Sequence, residues 1–113
     1  MNKKVISKDI IVIKTSGNKY ETLRDIAEKI LKIKLAACVN LISNVDSIYE
    51  WRGEVVREKE IIMLIKTTKN NEPEVYNTII NMHNYEIPEI LTFNTHNVGK
   101  DYADWLIKVV KYA

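Results

Sequence analysis

A single cysteine, Cys38, stands in 113 residues, so no intrachain disulfide can form, and no CxxC or Cys/His cluster exists to hold structural zinc. The core must therefore hold by packing alone, and a reducing compartment fits best. Three glycines and two prolines leave no glycine-rich phosphate loop, and neither a nucleophile elbow nor an HExxH pair occurs. No catalytic residue is expected, and the chain reads as a non-enzyme. Neither sign of charge dominates. Seventeen Lys and Arg against fifteen Asp and Glu give a net charge of +2 without a basic block, which offers no footprint for nucleic acid or a membrane surface. No apolar run approaches the roughly 20 residues of a membrane span. The opening MNKKVISKD lacks the apolar stretch of a secretory signal. A cytoplasmic protein is the expectation.

What is there is ordinary in bulk and unusual in arrangement. Hydrophobic residues make up 46% and charged residues 28%, which suits one globular domain over residues 1–113 with a real apolar core. From Leu35 to Lys69 the chain reads as one very long β-hairpin turning at Arg52 and Gly53, where the glycine can take the positive φ of a tight turn. Each arm of about 16 residues would run roughly 50 Å if straight, far beyond a domain with a radius of gyration of roughly 13 Å. The ribbon must bend, with Ser43 and Asn44 as the place for a bulge, or project. Either way Ile48, Tyr49, Trp51, Val55 and Val56 lie beyond an intrachain core, and Tyr49 and Trp51 are expected to anchor an interface with a neighbouring subunit.

Around the hairpin the remaining elements fall into place. Lys8–Thr15 reads as a strand ended by Ser16-Gly17-Asn18. A helix follows, with Asn18 as cap and an apolar stripe of Tyr20, Leu23, Ile26, Ala27, Ile30 and Leu31. After the hairpin, Asn70 or Asn71 caps a second helix with Pro73 in its first turn, burying Val75, Ile79, Ile80 and Met82 down to His83. Glu89–His96 reads as a fourth strand. A terminal helix over Asp101–Tyr112 is expected to bury Tyr102, Trp105, Leu106, Val109 and Val110. Ile13-Lys14-Thr15 before one helix returns as Ile65-Lys66-Thr67 before the other, so the order is βαβ twice. That predicts an α+β fold, a ferredoxin-like βαββαβ sandwich with a long hairpin joining its second and third strands and an extra C-terminal helix. With the helices on one face, the other sheet face needs cover, which a second subunit can give.

The densest polar cluster is His83-Asn84-Tyr85-Glu86-Ile87-Pro88-Glu89. An imidazole, a phenol and two carboxylates so close together could bind a divalent metal or a ligand's amine. Alternatively His83 suits a helix C-terminus, Tyr85 packs over the sheet and the glutamates pair with lysines. Cys38, between Ala37 and Val39 on a strand, reads as a small buried hydrophobe with a structural role. His96 reads as a surface residue. Lys14 and Lys66 end equivalent strands beside turns, where they can meet a ligand or simply carry their heads to water.

With these residues in view, the chain resembles the CutA family of divalent-cation tolerance proteins. The likeness lies in Ala36-Ala37-Cys38-Val39-Asn40, Ser47-Ile48-Tyr49 with Trp51, Gly53-Glu54-Val55, Ile65-Lys66-Thr67, the run from His83 to Ile90, and Tyr102 to Trp105. These follow in order over nearly the whole chain. The resemblance implies a ferredoxin-like homotrimer, PII-like in architecture, with hairpins wrapping neighbours and a role in tolerance of copper and other divalent cations. Animal members of the family are linked to anchoring of a membrane cholinesterase. It also implies a cleft between subunits near Tyr49, Trp51, Lys66, Tyr85, Glu86 and Glu89, holding a divalent cation or a small ligand. Of the copper-binding positions ascribed to bacterial members, His83 matches. Asn84 replaces a proline, Met82 stands for a second histidine and Lys14 for a cysteine. A protonated lysine is a poor ligand and a thioether suits soft Cu(I), so copper or another divalent cation is expected to bind weakly. The competing reading is an assembly module that recruits another protein.

Overall fold

The computed structural model describes residues 4–5 and 9–113, with side chains from residue 9 onward. The elements are β1 (Lys4–Val5), β2 (Ile10–Gly17), α1 (Tyr20–Lys32), β3 (Cys38–Trp51), β4 (Glu54–Thr68), α2 (Glu72–Met82), β5 (Ile90–Asn94), β6 (Val98–Gly99) and α3 (Lys100–Val109). A short 3-10 turn, Lys69–Asn71, leads into α2. Lys8, where the first long strand was expected to start, lies outside the described residues. The main sheet runs β3-β4-β2-β5 with every pair antiparallel, which is the ferredoxin-like order. β1 and β6 form a separate two-stranded pair, which the sequence reading did not foresee.

Alternation along the strands sorts the sheet into two faces. Ile11 and Ile13 of β2 and Met63 and Ile65 of β4 meet Leu23, Ile26 and Ile30 of α1 and Val75 and Ile79 of α2 in one fully buried cluster. Each such aliphatic side chain contributes about 1.5–3 kcal/mol by leaving water. Ile10 instead joins Val98, Ala103, Leu106 and Val110 in a second cluster that seats α3. Elsewhere on this second face the described residues leave the sheet only partly covered. Ile42, Leu91 and Phe93 are exposed there, with Phe93 50% accessible.

The hairpin forms as its residues dictate. Trp51 pairs with Glu54 across Arg52 and Gly53, whose φ values of 51° and 83° give the two left-handed positions of a two-residue turn. The register slips between Ile42 and Val45, so Ser43 and Asn44 oppose Ile61 alone, and Asn44 takes φ 63°. This is the expected bulge, which bends and twists the ribbon. Even so the molecule measures 52 × 27 × 21 Å with a radius of gyration of 15.2 Å, above the roughly 13 Å of a compact chain this long.

Helix details depart from the pattern reading in four places. Asn18 does not cap α1. Lys19 occupies that position, and the Asn18 amide donates to Glu58 at 3.4 Å while its oxygen accepts from Asn84 at 3.1 Å. Asn71 stands at the start of α2 but sends its amide to Thr68 Oγ1 at 2.7 Å and the Tyr112 carbonyl at 2.8 Å. The buried stripes are also narrower than expected, since Tyr20, Leu31, Ile80 and Met82 lie at the edges and are exposed. In α3 the expected Leu106 and Val110 are buried, with Val109 packed beside them, but two of the expected residues are not. Ala103 and Leu106 are buried, whereas Tyr102 and Trp105 stack on each other at 5.6 Å and face outward. Alanine at 103 is what lets the helix axis come close to Ile10 and Val98.

α1 ends without glycine. The Leu35 amide donates to the Ile30 carbonyl at 2.9 Å and the Lys34 amide to Leu31 at 3.1 Å, with Lys34 at φ 62°. That is a Schellman ending completed by contact between buried Ile30 and Leu35.

Candidate functional site

The segment following α2 is fixed by one imidazole. His83 ends the helix, its Nε2 donates to the Ser16 carbonyl at 2.8 Å, and its Nδ1 accepts the Tyr85 amide at 2.9 Å. Accepting at Nδ1 places the proton on Nε2, so both ring nitrogens are engaged. Gly17 makes this approach possible, because a Cβ there would stand 3.2 Å from Nε2. The Tyr85 ring then tilts against His83 with centroids 4.7 Å apart.

Tyr85 is thereby aimed across to β4. Its hydroxyl donates to Glu60 Oε2 at 2.6 Å and reaches Glu58 Oε1 at 3.1 Å, where the Tyr49 hydroxyl also donates. Burial, then the bond to Glu60 and the charges of both glutamates, push the Tyr85 phenol far above the usual tyrosine range. Tyr49 is raised for the same kinds of reason, burial first and Glu58 next. Glu89 receives Lys14 Nζ at 3.0 Å and Ser16 Oγ at 2.8 Å. Glu86 lies 3.9 Å from the Arg52 guanidinium, and both are largely in water, so that pair contributes little.

Between the arm and this segment lies a cleft of about 780 Å³. Tyr49 and Trp51 border it from the hairpin, and Tyr85, Glu86 and Glu89 from the opposite side. The structure thus brings together five of the six cleft residues expected from sequence. Lys66 is not among them. It pairs in register with Cys38 and donates to the Asn40 side chain, away from the cleft. Cys38 itself is half-buried, less enclosed than the sequence suggested. Glu58 and Glu60 were missed. In β4 they continue the alternation of Ile62 and Leu64, so a carboxylate at 60 where an apolar residue would pack was the available signal.

The donors do not form a ready metal site. Among the described residues no group of three or more His, Cys, Asp or Glu could hold an ion. A metal on His83 would have to displace the Ser16 carbonyl or the Tyr85 amide, and Lys14 is already committed to Glu89. Among the described residues no helix is long and apolar enough to cross a membrane.

A ferredoxin-like sheet with one open face, a projecting two-stranded arm and an aromatic, acid-lined cleft beside that arm define an arm-bearing α+β sandwich. The class narrows to one family when the sequence is compared with known proteins. The chain belongs to the CutA1 divalent ion tolerance protein family, whose model matches residues 10–109. It is 38% identical over 86 residues to the divalent-cation tolerance protein CutA of Thermus thermophilus, covering 76% of this chain and 84% of that one. The same identity holds over 97 residues to the protein of that name from Thermotoga maritima, covering 86% and 94%. The solved structure of the divalent cation tolerance protein from Thermus thermophilus superposes with a TM-score of 0.86 at 34% identity, over 89% of this chain and 98% of that one.

Proposed function

We propose that this chain acts in divalent-cation tolerance as a non-enzymatic homotrimer, PII-like in architecture, that binds a divalent cation or small ligand in clefts at its subunit boundaries. The carrying observation is the cleft itself, in which Tyr49 and Trp51 of the arm meet Tyr85, Glu86 and Glu89. A volume of several hundred Å³ bordered by aromatic rings and a few convergent polar groups is the usual form of a ligand site. The arm supports the trimeric part of the reading, since Val55 is 75% and Trp51 41% accessible at a tip that has no core of its own. His83 is the proposed metal contact, and its two existing hydrogen bonds favour weak binding. Calorimetry with copper, zinc and cobalt on the metal-free protein and on His83→Ala tests this. Saturable binding that the variant loses is expected, and equal weak binding by both proteins would remove His83 from the site.

A second reading, an assembly module that recruits another protein, is favoured by the exposed, mutually stacked Tyr102 and Trp105 of α3. Recovery of a stoichiometric partner from the native lysate, lost on Trp105→Lys while the trimer persists, would support it over ligand binding.

A further inference from the structure

Four carboxylates border the cleft, and two of them have no counter-charge. Glu89 is held by Lys14, and Glu86 faces Arg52. Glu58 and Glu60 form no ion pair with any described residue. Their hydrogen bonds come from neutral donors, the hydroxyls of Tyr49 and Tyr85 and the amide of Asn18. Glu60 is only 7% exposed, yet it borders the cleft, and its Oε1 has no hydrogen-bond donor among the described residues. The two carboxylates therefore give the cleft a negative lining that no described cation offsets, and a cation entering the cleft would meet it.

The shape of the site says which kind of cation. About 780 Å³ is far more than an ion needs and suits a small organic molecule. The walls are aromatic, and aromatic faces attract ammonium and guanidinium groups. This chain already shows such a contact, because the Arg52 guanidinium lies 5.3 Å from the centroid of the Trp51 ring.

We propose that the cleft binds an organic cation, a small amine or guanidine whose charged head reaches Glu60 and Glu58 while its carbon skeleton lies along Trp51 and Tyr49. The inference rests on the reading of this cleft as a ligand site and adds the charge and chemical class of the ligand. Anionic ligands are disfavoured by the same two carboxylates. A neutral ligand of equal size would leave Glu60 unpaired.

The purified full-length protein is titrated by calorimetry with 1,5-diaminopentane and agmatine. Glutarate and 1,5-pentanediol serve as the matched anionic and neutral controls. Saturable binding of the two cations and none of the controls is expected. Glu60→Gln, which keeps an acceptor for the Tyr85 hydroxyl, should weaken cation binding at least tenfold, and Glu58→Gln should weaken it in the same direction. Absence of saturable cation binding by the wild-type protein overturns the proposal, including the case in which a lysine from a second copy of the chain fills the site. Equal cation binding by the wild type and both variants overturns it as well. Metal titrations run in parallel keep the two readings apart. Copper or zinc binding without amine binding sinks this inference and leaves the metal reading standing, and amine binding without metal binding does the reverse.

Discussion

Thr15 is fully buried in β2, and its hydroxyl has no hydrogen-bond partner among the described residues. An unmet buried hydroxyl is unfavourable, and valine has nearly the same shape. Thr15→Val is therefore expected to raise stability by about 1 kcal/mol, read as a higher urea midpoint at unchanged slope. Tyr85 makes a different prediction. Its phenol keeps its proton in the folded protein well past the pH at which an unfolded tyrosine ionises. The folded state thus binds more protons than the unfolded state above pH about 10, and stability falls as pH rises through that range. Tyr49 and Tyr102 are raised too, Tyr102 by burial and then by Cys38, and they share the effect. Tyr85→Phe should flatten the alkaline fall in melting temperature without abolishing it. An unchanged alkaline slope would show that the tyrosine proton is not held as described. Glu58 and Glu60 also mark where single residues were hard to read. Alternating charge in the sequence Arg57-Glu58-Lys59-Glu60 looks like a solvated strand face. Strand parity puts Glu58 and Glu60 on the side of Ile62 and Leu64, and Tyr85, reached through His83 and Ser16, meets them there.

Element by element, the chain was most legible where one residue type leaves the backbone little choice. Gly53 and the length of the flanking arms announced the hairpin, and Ser43-Asn44 announced its bulge. The expected α3 stripe holds at Leu106 and Val110, which are buried, and at Val109, which packs beside them, but at Tyr102 and Trp105 it fails, and Ala103 makes the contact instead. Size suggested burial, and close approach demanded a small residue. Lys66 belongs to the cleft only in what the family resemblance implies, for a cleft between subunits, and within one chain strand register sets it opposite Cys38. No local pattern carries that information. The ending of α1 offers a test at this scale. Lys34 holds φ 62°, a conformation that is costly for a side chain and open to glycine. Lys34→Gly should stabilise the protein by about 0.5–1 kcal/mol in chemical denaturation. A loss of stability would mean that the lysine stem contributes packing that outweighs the strain.

For the molecule as a whole, the decisive facts are an open sheet face and an arm that outruns the body. Leu91 and Phe93 sit on the edge strand β5, 45% and 50% accessible, on the face left free by α1 and α2. If sister chains cover this face and clasp the arms, Leu91→Glu should shift sedimentation from a trimer toward a 13.2 kDa species while far-ultraviolet circular dichroism stays unchanged. Trp51→Ala should loosen the same assembly by more than about 2 kcal/mol, as truncation of a central interface aromatic commonly does. A wild-type protein that already sediments as a single chain would defeat both expectations and the trimeric reading with them.

The turn at Arg52 and Gly53 also bears on how the polypeptide reaches its native state. Zippering from Trp51 and Glu54 outward joins near neighbours in sequence, whereas Ile11 must find Asn94 almost at the far end of the chain. Local pairing is fast and distant pairing slow, so the ribbon should exist before the sheet that supports it. For that interval a bare two-stranded template is on offer to every nascent copy nearby. The acidic and basic side chains spaced along it, Glu50, Glu54, Arg57 and Lys59 among them, are placed to act as gatekeepers against runaway strand addition until the native sheet closes on it.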